Sequence, residues 1–282
     1  MFFRERFAPM SELLRLPGGA VLHVHGPAAA PPILFLHGVG GGAWSWAPQV
    51  AEFASDRRVY VWEARGHGDA ARVDDAGLAD YAVDAQEAFD AVRVASPAPV
   101  ALTGHSMGGL LALALAGRQP SAVGALALID PVYAEANEAH VPPPLRPLAR
   151  ALAAPLVGSL ERGGPVATWI SRSIFFRSFA DRAEAERWWP VQRAQVPLEY
   201  PRMVLEGIGG VEGFTLDGLA DRIIAPTLVL NGRFSALATR LHERLGPRFI
   251  EDRIPGGHYL QLDRPAAVSE RLRRFLAEHA AP

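Results

Sequence analysis

Short apolar runs and longer helix-like stretches take turns through the first 130 or so residues of this chain. The runs Ala20–His25, Ile33–Leu36, Arg58–Trp62, Pro99–Thr103 and Ala125–Ile129 have the length and hydrophobicity of strands. Between them, Trp46–Ala54, Ala79–Ala95 and Met107–Arg118 read as helices. Strand–helix alternation of this kind predicts a mostly parallel central sheet covered by helices on both faces, because each crossover returns the chain over the sheet.

The pattern changes at about Val132. From there to Asp221 the chain carries Pro142-Pro143-Pro144, further prolines, and apolar helical stretches around Leu145–Leu160 and Val166–Phe179. Trp169, Phe175, Phe176, Phe179, Trp188 and Trp189 concentrate aromatic surface in the same segment. Singly, each aromatic residue reads as ordinary core. As a group in a helical insertion, they suit a cap that lines an apolar pocket. The sheet pattern then resumes with a strand at Pro226–Leu230, a helix at Leu237–Leu245, a strand at Arg248–Ile254 and a closing helix from Pro265 to His279. The expected organisation is an α/β core domain formed by residues 1–131 and 222–282, with residues 132–221 inserted as a helical cap.

Composition narrows the class of partner. A chain of 282 residues with 49% hydrophobic content can bury a sizeable core. The net charge of −2, with both signs mixed along the chain, offers no basic face for nucleic acid or an anionic membrane. All 28 basic residues are arginine, so Schiff-base chemistry and a lysine base are excluded. The absence of cysteine excludes disulfides, thiolate nucleophiles and cysteine metal sites. Met1–Arg15 lacks the unbroken apolar core of a signal peptide, and no stretch of about 18 apolar residues has the look of a membrane span. A soluble cytoplasmic protein acting on a small molecule is the expectation. The sequence leaves the oligomeric state open.

The strongest chemical signal is Gly104-His105-Ser106-Met107-Gly108, a G-x-S-x-G pattern entered from the apolar run Val100–Thr103 and left through the Ala/Leu-rich stretch Leu110–Gly117. A strand–serine–helix turn strains the serine and lifts its hydroxyl out of the sheet. A serine hydroxyl is a poor nucleophile at neutral pH and needs a base, an orienter for that base, and donors for a developing oxyanion. His258 is the candidate base, because Pro255-Gly256-Gly257-His258 joins the last strand to the last helix and lies at the right edge of the sheet. His37-Gly38-Val39-Gly40-Gly41-Gly42 follows the strand Ile33–Leu36, and its glycines allow a sharp turn with N–H groups aimed at a bound oxygen. A phosphate loop is excluded by the missing lysine, and the glycine spacing does not fit a dinucleotide fingerprint.

With these motifs in this order, together with Arg65-Gly66-His67-Gly68, the chain resembles the α/β-hydrolase fold superfamily over nearly its whole length. The resemblance implies a serine hydrolase with a helical cap after the sixth strand, no cofactor and no metal. It also implies that the N–H groups of Val39 and Met107 bind the oxyanion. The acid departs from the common pattern. In much of the family it follows the seventh strand, but here Asn231-Gly232-Arg233-Phe234-Ser235-Ala236 puts Ser235 at that position. Some members place the acid after the sixth strand, which makes Asp130 the candidate. Glu63, which stands before the Arg-Gly-His-Gly motif where aspartate is usual, is a weaker candidate and reads as structural. A weak or missing acid is the third possibility.

Two further features carry expectations. His23 and His25 share one side of a strand, as metal ligands would, but no third ligand is evident in the sequence, so a paired core or surface role is expected. Trp44 and Trp46 either wall the pocket or pack the first helix. The leading reading is a hydrolase of an apolar ester, thioester or lactone, with Ser106, His258 and Asp130 as the catalytic set. The same site used for carbon–carbon cleavage, acyl transfer or cofactor-free oxygen chemistry, or kept only for ligand binding, remains open on sequence alone.

Overall fold

In a computed structural model of the chain, residues 12–71, 76–131, 165–195, 216–232 and 238–279 are described. Eight strands form one sheet: β1 (Glu12–Arg15), β2 (Val21–His25), β3 (Pro32–Leu36), β4 (Arg58–Glu63), β5 (Val100–His105), β6 (Val123–Ile129), β7 (Thr227–Asn231) and β8 (Phe249–Arg253). Their order is β1-β2-β4-β3-β5-β6-β7-β8. The β1–β2 and β2–β4 pairs are antiparallel, and every pair from β4 to β8 is parallel. The helices are α1 (Ala47–Phe53), α2 (Leu78–Ala95), α3 (Met107–Arg118), α4 (Pro165–Arg177), α5 (Arg182–Gln195), α6 (Ala238–Leu245) and α7 (Pro265–His279), with a few short helical turns besides.

The two-residue period of a strand explains the two cores. Leu34 and Leu36 point to one face of the sheet, where Trp62, Leu102 and Leu126 meet Phe89 of α2 and Leu111 of α3. Ile33 and Phe35 point to the other, where Val59, Ile129 and Leu230 meet Phe53 of α1 and Leu272 and Phe275 of α7. β3 is buried along its whole length, as a parallel strand covered on both sides must be. A third, aromatic cluster joins Trp44, Tyr259 and Leu262 to Phe175 and Phe179 of the α4 segment and to Trp188 of α5.

The hydrophobic pattern located seven of the eight strands to within a residue or two. It missed β1, whose Leu13 and Leu14 are only partly buried between exposed Glu12 and Arg15 at the antiparallel edge. A strand with so little apolar surface leaves almost no pattern to read. The helix expected at Leu145–Leu160 and Ser235 lie outside the described residues, whereas that expected at Val166–Phe179 is α4. Among the described residues, no helix is long and apolar enough to cross a membrane.

Candidate active site

Ser106 sits between β5 and α3 with φ 53 and ψ −117, a conformation that side chains rarely adopt and that costs about 1–3 kcal/mol. The flanking glycines are what make the turn possible. A Cβ on Gly104 would lie 2.1 Å from the Gly108 carbonyl oxygen, and one on Gly108 would lie 2.2 Å from the Leu36 oxygen. The Ser106 N–H donates to the Ile129 carbonyl at 3.1 Å, which ties the elbow to the end of the neighbouring strand.

Asp130 follows β6 and also has a positive φ, 39. Its carboxylate is buried and holds two donors from two different loops. Oδ2 lies 2.6 Å from His258 Nδ1, and Oδ1 accepts the Gly232 N–H at 2.8 Å. A carboxylate can only accept, so Nδ1 carries a ring proton, and whenever the imidazole is neutral Nε2 is left bare. Gly232 directly follows β7, where the common pattern would begin its approach to an acid. Here Gly232 supplies an N–H to Asp130 instead. A Cβ at Gly232 would stand 2.7 Å from the Gly257 oxygen and 3.2 Å from Asp130 Oδ1, so the close approach depends on glycine.

The glycine loop after β3 is braced by His37. The Ala64 N–H donates to His37 Nε2 at 3.1 Å, which requires the proton on Nδ1, and Nδ1 donates to the Gly38 oxygen at 2.8 Å. Burial, with His67 nearby, pushes the His37 pKa down from 6.5 to about 3, so the ring stays neutral and this tautomer persists. Gly41 N–H closes the turn onto the Gly38 oxygen at 2.9 Å, with Val39 between them. A Cβ on Gly38 would meet Ser106 Cβ at 2.8 Å, so the loop abuts the elbow. Met107 opens α3, and its N–H therefore has no acceptor within that helix.

Several neighbours carry no sequence signature. His105 is fully buried; its Nε2 donates to the His258 carbonyl at 2.9 Å and ties the main chain of His258 to β5. Burial, then the charge of His258, drive its pKa well below 6.5. From α5, Gln192 Nε2 donates to the Gly40 oxygen at 3.4 Å, and the Gln195 oxygen accepts the Gly68 N–H at 3.2 Å. The helical hairpin thus touches both glycine loops.

Glu63 lies apart from His258's carboxylate partner and holds loops together. It accepts the Ala43 N–H at 3.0 Å, the Asp69 N–H at 2.7 Å and His23 Nε2 at 3.0 Å. Burial pushes its carboxyl up, but the bonds from His23, Ala43 and Asp69 together with the His23 charge outweigh that and leave it lowered. The metal reading of His23 needs correction in its geometry. The strand partner His25 is not in the group, whereas Glu63 and Asp69 bring ligand atoms within 4.8 Å of His23. Both Glu63 oxygens are already engaged with main-chain N–H groups, so the set reads as a structural knot. The two tryptophans divide: Trp46 packs on Phe35 at 4.8 Å in the sheet core, while Trp44 joins Phe175, Trp188 and Tyr259. Of the arginines in the aromatic segment, Arg172 and Arg182 line an open cavity of about 330 Å³ with Trp169, Ser173 and Phe176.

Comparison with known proteins gives the family of the fold. Residues 33–271 match the model of the Alpha/beta hydrolase family. A protein of Variovorax paradoxus (strain S110), provisionally named carbamate hydrolase RutD, is 32% identical over 274 residues, which cover 92% of this chain and 96% of that protein. Among solved structures, the enol-lactonase from Burkholderia xenovorans LB400 superposes with a TM-score of 0.66 at 22% identity, covering 94% of this chain and 100% of its own. A thermophilic esterase from Thermogutta terrifontis gives 0.66 at 22%, covering 96% and 100%. The chain belongs to the alpha/beta hydrolase family and is an enzyme of that family.

Proposed function

We propose that this enzyme is a serine hydrolase that cleaves a small, largely apolar carboxylic ester, thioester or lactone through an acyl-enzyme on Ser106. The observation that carries the reading is the Asp130–His258 contact at 2.6 Å, with the second carboxylate oxygen held by Gly232. It supports a neutral imidazole with a bare Nε2, the tautomer that a general base requires. In the proposed reaction, Ser106 Oγ attacks the acyl carbon while His258 Nε2 takes its proton. The N–H groups of Val39 and Met107 stabilise the oxyanion. The imidazolium then protonates the departing alcohol, thiol or lactone oxygen, and water repeats the sequence to release the acid. Helices α4 and α5 belong, on this reading, to a cap over the site, and their aromatic cluster accounts for the apolar preference.

The full-length likeness to a protein named as a carbamate hydrolase favours a second reading of the same machinery: attack on a carbamate carbonyl. The test is hydrolysis of a p-nitrophenyl ester series of increasing acyl length, alongside a carbamate, by native protein and by Ser106→Ala. Turnover that vanishes in the variant, with a phosphonate probe labelling Ser106 in the native protein, supports the acyl-enzyme. No turnover and no label would remove the reading.

A further inference from the structure

We infer that Asp263 is a positioning residue that couples the turn between α4 and α5 to the loop carrying His258, so that seating of the hairpin and placement of the base change together. The inference deepens the reading of Ser106 and His258 just given and rests on it for its catalytic consequence.

Asp263 ends the short helical turn Leu260–Asp263 and is 3% exposed. Its carboxylate accepts three main-chain N–H groups from two segments remote from each other in sequence. Oδ2 takes Gly257, the residue before the base, at 2.8 Å and Ala180 at 3.3 Å, while Oδ1 takes Asp181 at 2.8 Å. The two segments also meet directly, since the Tyr259 N–H donates to the Ser178 oxygen at 3.1 Å. A Cβ on Gly257 would fall 2.3 Å from that same oxygen, so the contact leaves no room for slack. Among the described residues the cation beside Asp263 is Arg264, which stands 3.6 Å from Oδ1 and is partly exposed. The carboxylate is therefore committed to main chain, and His258 lies one residue beyond a main-chain N–H that it holds.

Only a carboxylate can serve all three donors. In Asp263→Asn one oxygen becomes an NH₂ group, which would face N–H donors and leave at least one of them unpaired. Native-state hydrogen exchange on the unmodified protein is the first arm, since it needs no variant. The amides of Ala180, Asp181 and Gly257 are expected to open as one unit, with the same rate and the same dependence on denaturant. Unequal opening would overturn the coupling. In Asp263→Asn all three are expected to exchange at least about 10-fold faster. Faster exchange at Gly257 alone would also overturn it.

The catalytic arm counts active sites with a phosphonate probe, so that a loss of folded protein does not register. With p-nitrophenyl esters, kcat per labelled serine is expected to fall about 10- to 100-fold in Asp263→Asn, the scale of an ångström-sized misplacement. Glu186→Ala removes an exposed ion pair with Arg182 on α5 but leaves all three N–H groups and their acceptor in place, and it is expected to hold the native kcat. An unchanged kcat in Asp263→Asn would make the residue structural only. If native protein neither turns over esters nor takes the probe, the hydrolase reading fails, while the exchange arm still decides the coupling.

Discussion

Replacing Asp130 by asparagine removes one acceptor from a group whose two oxygens are both in use. The carboxamide can be placed in two ways, and each loses something definite. With its oxygen toward Gly232, the bond at 2.8 Å survives, and the NH₂ group faces His258 Nδ1. The imidazole must then accept at Nδ1 and carry its proton on Nε2, where it can no longer act as a base. With the oxygen toward His258, the tautomer survives, but NH₂ and the Gly232 N–H oppose each other in a buried position. A lost hydrogen bond to a buried charged group is worth about 1.5–3 kcal/mol of stability. The first arrangement keeps more bonds and is expected to prevail, at a cost to kcat of about 10⁴-fold, as in triads whose orienting acid is neutralised. The assay is pre-steady-state hydrolysis of a p-nitrophenyl ester, with urea unfolding of the same samples. A variant that keeps kcat within about 10-fold of native would refute the argument, because the acid would then act from elsewhere.

Three other outcomes follow from the described contacts. Gly232→Ala puts a Cβ 2.7 Å from the Gly257 oxygen and is expected to lower kcat while costing about 1–3 kcal/mol in urea unfolding. Trp46→Ala is expected to cost about 3–5 kcal/mol without altering preference for acyl length, whereas Trp44→Ala, made in the aromatic cluster, is expected to alter that preference; a chain-length series on both variants checks it. Stability is expected to decline on acidification. His37 titrates at about 3 when folded and 6.5 when unfolded, so the unfolded chain gains a proton that the folded chain refuses. The contribution is therefore complete above pH 6.5 and is lost between there and about 3, at up to about 1.4 kcal/mol per pH unit. Urea midpoints across that range should decline less steeply in His37→Gln.

The sheet was legible in the sequence because its inner strands are buried on both faces and read as unbroken apolar runs. Ser106 and the glycine loops were legible for a related reason: tight turns admit few residues, and Gly104, Gly108 and Gly38 are needed by backbone approaches that any Cβ would block. Asp130 became a candidate through the resemblance, since no carboxylate stands between Asn231 and Leu241 and some members place the acid after the sixth strand. What stayed hidden are contacts made through main-chain atoms. The Gly232 N–H, the His258 carbonyl held by His105 and the three amides held by Asp263 belong to the backbone, which every residue shares. Asp263 itself, set two residues before Pro265, has the look of a helix-capping aspartate, and its bonds to the α4–α5 turn leave no local trace. His23 shows the same limit, because its partner Glu63 lies 40 residues away across a neighbouring strand.

The order of the sheet bears on how this enzyme fails. Ser106, Asp130, Gly232 and His258 follow β5, β6, β7 and β8, four successive neighbours from the middle of the sheet to its rim. The middle strands are wholly or almost wholly buried, while β8 is half-buried to exposed along its length and has a partner on one side only. Rim elements open at lower free energy than the centre. On the proposed reading the base follows the rim strand, so activity is expected to be lost on heating before most of the sheet melts. Activity assayed at temperature is then expected to fall below the transition followed by far-UV circular dichroism and to return on cooling, so that it reports the durability of β8 and its loop and not that of the whole sheet.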